Sequence, residues 1–268
     1  MATISHRVFS PTIDANQIRN LIMLGLPPKE CDAVFRNLDF VELPANSVLN
    51  AEREQIEFVY FINGGLASFL NVMSDGKSVE VGLAGKEGFV GVGLLAGFRT
   101  SPSRVIMQVM GSGYRMAAVD FMAALSHCPT LEKSLSRYSQ NLGMQAAQVA
   151  ACNKLHEIDK RLARWLLMSQ DRLGGSVVPL THEFLAHMLG TRRASVTIAA
   201  GILQNASLIT YRRGTVTIQD RSGLEKYSCE CYKAMKRLSK NWDNEANDRE
   251  DPVRSSPRGM CIARVRPN

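Results

Sequence analysis

A chain of 268 residues, 45% hydrophobic and 21% charged, can bury a core in one large domain or two modest ones, which excludes whole-chain disorder. The longest uncharged apolar stretch, Gly88–Phe98, has eleven residues with four glycines, against about 20 for a membrane-crossing helix. No apolar segment precedes a cleavage site at the N-terminus, so a cytoplasmic protein without membrane contact is expected. The six cysteines (Cys31, Cys128, Cys152, Cys229, Cys231 and Cys261) contain no C-x-x-C pair. Neither a disulfide scaffold nor a metal site is expected from such spacing.

The net charge of +7 is unevenly placed. Residues 1–155 hold 13 basic and 13 acidic side chains, residues 156–240 hold 14 and 7, and residues 241–268 hold five of each. All of the excess falls in one stretch, which suits a polyanion and makes nucleic acid the first partner to consider. A solvated basic face is the alternative until a motif accompanies the charge.

Helical character is expected around Asn16–Leu24 and Cys31–Asn37. From Phe40 to Val119 the sequence reads as short strands, Phe58–Ile62, Leu66–Asn71, Ser78–Leu83, Val105–Val109 and Tyr114–Val119. Gly64-Gly65, Asp75-Gly76, Gly85 and Gly111-Ser112-Gly113 punctuate them as turns, with Asp75-Gly76 a hairpin signal. Regularly spaced short strands predict a β-roll or barrel.

Pro129 then opens a stretch without proline until Pro179, and a proline at a helix start lacks only an N–H with no helical partner. Leu131, Leu135, Tyr138, Leu142, Gln145, Val149 and Cys152 follow a heptad rhythm, with Gln145 the one polar member. That seam predicts a helix over 129–155 packed on a partner helix, most simply as a parallel homodimer with Gln145 fixing register. Packing within its own domain is the alternative. A second amphipathic helix is expected over Glu157–Leu173, ended by Gly174-Gly175.

Residues Thr181–Thr197 have the grammar of a helix-turn-helix. Thr181 suits an N-cap, Ala186 is small where two helices cross, and Gly190 can take the positive φ of a sharp turn. The second helix should run from Arg192 to about Gln204 with Val196, Ala200 and Leu203 inward. Arg192, Arg193, Ser195 and Thr197 are then outward, where arginines can pair with guanine and hydroxyls with bases or phosphates. Next, Leu208–Tyr211 and Thr215–Ile218 flank Arg212-Arg213-Gly214 as a hairpin with a basic tip. Alone this would be an ordinary surface hairpin; behind a recognition helix it reads as a wing with Arg212 and Arg213 over phosphates.

This order of β-roll, long helix, helix-turn-helix and wing resembles the Crp/Fnr transcription regulators over roughly Phe40 to Leu224. The most specific matches are the RRASVT run (Arg192–Thr197) and the LQNASLITYRRGTVTI run (Leu203–Ile218), with Phe61–Leu66 and Gly85–Gly91 matching turns of the roll. The fold class implied is α+β, with an N-terminal cyclic-nucleotide-binding-type β-roll, a dimerisation helix and a C-terminal winged helix-turn-helix. Its parts would be 1–128, 129–155 and 156–240, with 241–268 a flexible tail. The resemblance implies a homodimer on a two-fold site in double-stranded DNA, with RNA polymerase as protein partner. It makes Arg193 the leading base-reading residue, with Arg192, Ser195 and Thr197 alongside, and gives Thr181 and His182 to phosphate contact. Ala194 and Ile198 stand where many members have glutamate and arginine, which implies an operator other than the family's best-known one.

The resemblance also raises cyclic nucleotides and iron–sulfur clusters as cofactors. Cyclic-nucleotide binders hold the ribose with Gly-Glu and the phosphate with Arg-Ser or Arg-Thr some eleven residues on. Here Gly91-Val92 and Arg99-Thr100 do not fall in one matching register, so the pocket candidates Glu87, Gly91, Arg99 and Thr100 make an incomplete set. Residues 1–30 lack cysteine, so the family's N-terminal iron–sulfur sensor is not expected. Cys229 and Cys231, two apart, should point to different sides of a helix and chelate poorly.

Catalysis finds no support. His182 and His187 are five apart, about 140° around a helix, whereas a zinc-protease helix needs four. Gly88, Gly91, Gly93 and Gly97 fit neither nucleotide-loop spacing, and no G-x-S-x-G occurs. Two functions remain, a DNA-binding regulator and a ligand-binding sensor whose winged helix docks on a protein.

Overall fold

The computed structural model describes residues 17–237, so the expected tail at 241–268 lies outside the described residues. The described residues divide into two compact units, 17–77 with 82–140, and 78–81 with 141–237.

In the first unit, α1 (Leu21–Leu24) is capped by Asn20, whose side-chain oxygen accepts from the Ile22 and Met23 amides. The Asn20 amide nitrogen donates to the carbonyls of Ile62 and Gly88 at 2.9 and 2.8 Å. A fully buried polar side chain is thereby satisfied at both ends. Helix α2 (Pro28–Phe35) begins with proline, as the first helical turn allows.

The strands follow as β1 (Asp39–Leu43), β2 (Val48–Asn50), β3 (Phe58–Val72), β4 (Ser78–Ala84), β5 (Phe89–Val90) and β6 (Arg104–Ala117). They form one sheet in the order β1-β6-β3-β4, with β2 on β6 and β5 on β3. Asp75-Gly76 turns the chain between β3 and β4 as expected, with Gly76 at φ 82°.

Two expected turns are absent. Gly64-Gly65 and Gly111-Ser112-Gly113 lie inside β3 and β6, so four short strands become two strands of 15 and 14 residues. The glycines meet across the ladder, where register shifts occur between Ile62 and Leu66. A Cβ on Gly111 would collide with the Gly64 carbonyl. The missing side chains permit a close strand approach rather than a chain reversal.

Helix α3 (Ala118–Leu125) leads into α4 (Pro129–Leu155). Both carboxylate oxygens of buried Glu30 accept from the first amides of α4, Thr130 and Leu131, at 3.0 Å each. They satisfy orphan donors and complement the positive end of the helix dipole.

The heptad seam of α4 is largely consumed inside its own chain. Leu131, Leu135, Tyr138, Val149 and Cys152 are buried, while Leu142 and Gln145 are half-buried. Tyr138 joins the aromatic stack of Phe61, Phe89 and Phe121, its ring 5.5 Å from that of Phe89. The expectation that Leu131, Leu135 and Tyr138 face a partner helix is corrected accordingly. Heptad spacing marks an apolar stripe without saying what covers it.

The second unit contains α5 (Ile158–Leu173), β7 (Val177–Val178), α6 (His182–Met188), α7 (Arg193–Asn205), β8 (Ile209–Arg212), β9 (Thr215–Ile218) and α8 (Arg221–Tyr227). Residues 231–237 are helical again. The expected two-stranded wing has three strands, β7-β9-β8. Trp165, Leu166, Leu185, Val196, Leu203, Val216 and Leu224 are buried here.

Candidate nucleic-acid interface

Helices α6 and α7 are joined by a tight turn in which Gly190 takes φ +58°. Thr181 caps α6, its hydroxyl oxygen accepting from the Phe184 amide. Buried Arg161 of α5 donates to the Leu189 carbonyl and fixes the turn from beneath.

Helix α7 buries Val196, Ala199, Ala200 and Leu203. Successive residues rotate about 100°, so the opposite face carries Ala194, Ile198 and Gly201. Ile198 is 67% exposed. Arg193 and Thr197 flank one side of that face, and half-buried Ser195 lies on the other, roughly 160° from Thr197. The four residues expected to read bases do not share one face. Contiguous exposed positions suggested that they did, because sequence shows which residues are polar but not where the buried stripe is centred.

Thr197 is also engaged within the chain. Its hydroxyl donates to the Arg193 carbonyl at 3.1 Å and lies 3.0 Å from His182 Nδ1. The His182 ring stacks on Tyr211 of β8 at 4.0 Å between centroids. Burial first, and the Arg193 charge second, hold the His182 imidazole below its ordinary pKa. Its Nε2 is shielded from solvent and has no partner among the described residues. His182 therefore ties α6 to α7 and β8, and in this arrangement it presents no donor to a phosphate.

The wing tip is a two-residue turn. Arg212 pairs with Thr215, and Arg213 and Gly214 between them take φ 46° and 77°. Positive φ at both central positions is the type I′ signature, whose twist suits a hairpin. Arg192, Arg193, Arg212 and Arg213 are all exposed, and none has a carboxylate partner among the described residues.

The four sheet candidates are each held in a different local setting. Gly91 is buried at φ +117°, where a Cβ would lie 2.6 Å from Val59. Glu87 accepts from the Gly85 amide, and Arg99 and Thr100 are exposed beside Gln55 and Ile56.

One constellation escaped the sequence reading. The ligand atoms of Cys152, His156, Cys229 and Cys231 all lie within 4.8 Å of one another. Cys229 and Cys231 are not on one helix, because α8 ends at Tyr227 and the next helical residues begin at 231. The bend lets both sulfurs point inward, which corrects the expectation that they diverge and that no metal-ligating set exists. The Cys229 thiol lies 3.5 Å from Cys152 Sγ; its hydrogen bond lowers the Cys152 pKa and raises that of Cys229. This set could hold a metal ion. Its one legible signal was C-x-C, and the other half stands 77 positions earlier.

Residues 160–227 match the model of the Crp-like helix-turn-helix domain. The described residues have a Crp/Fnr-like fold, with an antiparallel sheet of cyclic-nucleotide-binding-like type ahead of the Crp-like helix-turn-helix stretch. A regulator described as putative Crp/Fnr family, from Eubacterium rectale, superposes with TM-score 0.62 at 14% identity, covering 78% of this chain and 98% of that one. FixK2 of Bradyrhizobium japonicum gives 0.62 at 15% identity over 72% and 98%. The c-di-GMP-responsive regulator CLP of Xanthomonas campestris gives 0.61 at 15% identity over 72% and 100%. No curated protein sequence matches the chain. No helix among the described residues is long and apolar enough to cross a membrane.

Proposed function

We propose that this protein is a sequence-specific, DNA-binding transcription regulator acting as a homodimer on a two-fold site, and not an enzyme. Residues 1–128 would be the sensor part, 129–155 the dimerisation helix and 156–240 the DNA-binding part, in a cytoplasmic protein with RNA polymerase as its protein partner. The observation that carries this reading is the set of four exposed guanidinium groups, Arg192 and Arg193 at the start of α7 and Arg212 and Arg213 at the wing tip. They belong to the stretch that contains all of the excess charge.

Arg193 is assigned base recognition, Arg192 and Ser195 the edges of the same contact, and Thr197 the orientation of α7 through His182. Ala194 and Ile198 would meet thymine methyl groups in the major groove. Arg212, Arg213 and Thr181 are assigned to phosphates. The homodimer would use the α4 face carrying Leu142 and Gln145. Cyclic nucleotide is not the proposed signal, because Gly91-Val92 stands where a ribose-binding Gly-Glu pair would be and Arg99 is exposed.

The test is selection of bound sequences from a random duplex pool at about 150 mM salt, where specific and non-specific binding separate. A two-fold site is expected, and Arg193→Ala should weaken it by ~1–3 kcal/mol while relaxing preference at one position of each half-site. Recovery of no preferred sequence, with Ile198→Asp abolishing capture of a protein partner instead, would favour the docking alternative.

A further inference from the structure

We propose that Cys152, His156, Cys229 and Cys231 hold one structural Zn2+ ion in tetrahedral coordination. The site goes beyond the DNA-binding reading and does not depend on it.

The geometry suits a single ion. With metal–sulfur bonds of about 2.3 Å and a metal–nitrogen bond of about 2.0 Å, tetrahedral angles put sulfurs ~3.8 Å apart and a sulfur–nitrogen pair ~3.5 Å apart. Cys152 and Cys229 Sγ atoms are 3.5 Å apart, and Cys231 Sγ lies 3.6 Å from His156 Nδ1. All four ligand atoms fall within 4.8 Å of one another, a set too compact for a two-iron cluster, whose outer ligands spread further. Three thiolates and one imidazole form a closed structural set with no position left for substrate.

The surroundings match as well. His156 turns Nδ1 toward the cluster while its Nε2 lies 3.1 Å from the Glu230 carboxylate. A carboxylate behind a ligating histidine fixes the tautomer and orients the ring, as outer partners of zinc sites do. Gln148 Nε2 donates to Cys231 Sγ at 3.1 Å, a partner suited to a thiolate. Three thiolates on Zn2+ leave one net negative charge. Arg161 and Arg164 are buried beside the cysteines without a carboxylate partner among the described residues. Their charge is the complement such a site needs.

Binding exchanges three thiol protons, released to solvent, for three metal–sulfur bonds and requires no oxidant. The ion would fasten the end of α4 to the bend between α8 and residues 231–237.

The test uses full-length protein, reduced, stripped with chelator and titrated with Co2+ and then Zn2+. About one ion per chain is expected, with intense tetrahedral cobalt bands, sulfur-to-metal charge transfer and three thiols protected from a thiol reagent. Cys231→Ser should lose the charge-transfer band in proportion to the missing thiolate. His156→Cys should keep binding and shift the cobalt bands, which guards against variants that merely unfold. Glu230→Gln should weaken Zn2+ affinity at least about tenfold. Folded, reduced protein that takes up no Co2+ at micromolar concentration would overturn the proposal, as would bands unchanged in Cys231→Ser. A Cys152–Cys229 disulfide in the oxidised protein would count against it if metal uptake did not return on reduction.

Discussion

Arg213→Asn separates charge from geometry at the wing. Arg213 sits at φ 46°, followed by Gly214 at 77°, and Asn-Gly is the preferred pair for this turn. The substitution therefore preserves the hairpin while deleting one cation. Each phosphate contact contributes about 0.9 to the slope of log K against log salt on duplex DNA. A dimer with two wings should lose about 1.8 from that slope, which between 1 M and 0.15 M salt amounts to roughly thirtyfold, or ~2 kcal/mol. Fluorescence anisotropy on the selected site and on random duplex, over a salt series, reads both quantities. The loss should be the same on both DNAs, because a phosphate contact carries no sequence information. An unchanged slope would refute the phosphate role of Arg213. A fall of only about 0.9 would refute the engagement of two wings.

Other outcomes follow from buried groups. Glu30→Ala leaves the Thr130 and Leu131 amides without their acceptor and should cost ~1–3 kcal/mol in urea unfolding, with Glu30→Gln losing less. Equal stability of Glu30→Ala and the parent would show that the cap contributes nothing. His182 has a depressed pKa, so the unfolded chain binds a proton that the folded chain resists. Stability should therefore fall as pH drops through about 6.5 and level off below the folded-state value. His182→Phe keeps the ring on Tyr211 and should remove that part of the acid loss; urea midpoints at about pH 5 and about pH 8 compare the two. An identical acid loss in the variant would place its origin elsewhere.

Much of the winged domain is legible in local sequence because its signals are local. Thr181 as a cap, Gly190 as a turn and Arg213-Gly214 at a hairpin tip each act within a few residues. Long α4 is equally legible from Pro129 and its apolar period, and it runs from Pro129 to Leu155.

Where distant segments meet, sequence alone decided less. It showed glycines at 64, 65, 111 and 113, but only pairing of β3 with β6 decided that they serve close approach, since a missing Cβ suits both a turn and a crossing. It showed a heptad stripe, and tertiary packing decided that Tyr138 covers an internal aromatic stack. It showed polar residues at the start of α7, and burial of Val196, Ala199 and Leu203 decided that Ser195 and Thr197 lie on different sides. The sharpest case is the cysteine cluster. Periodicity and spacing report neighbours along the chain, whereas Cys152 and Cys229 become neighbours only when segments 77 positions apart pack together. Composition and local pattern thus determined which elements form and where charge gathers. Long-range packing, which no local propensity encodes, decided which side chains meet.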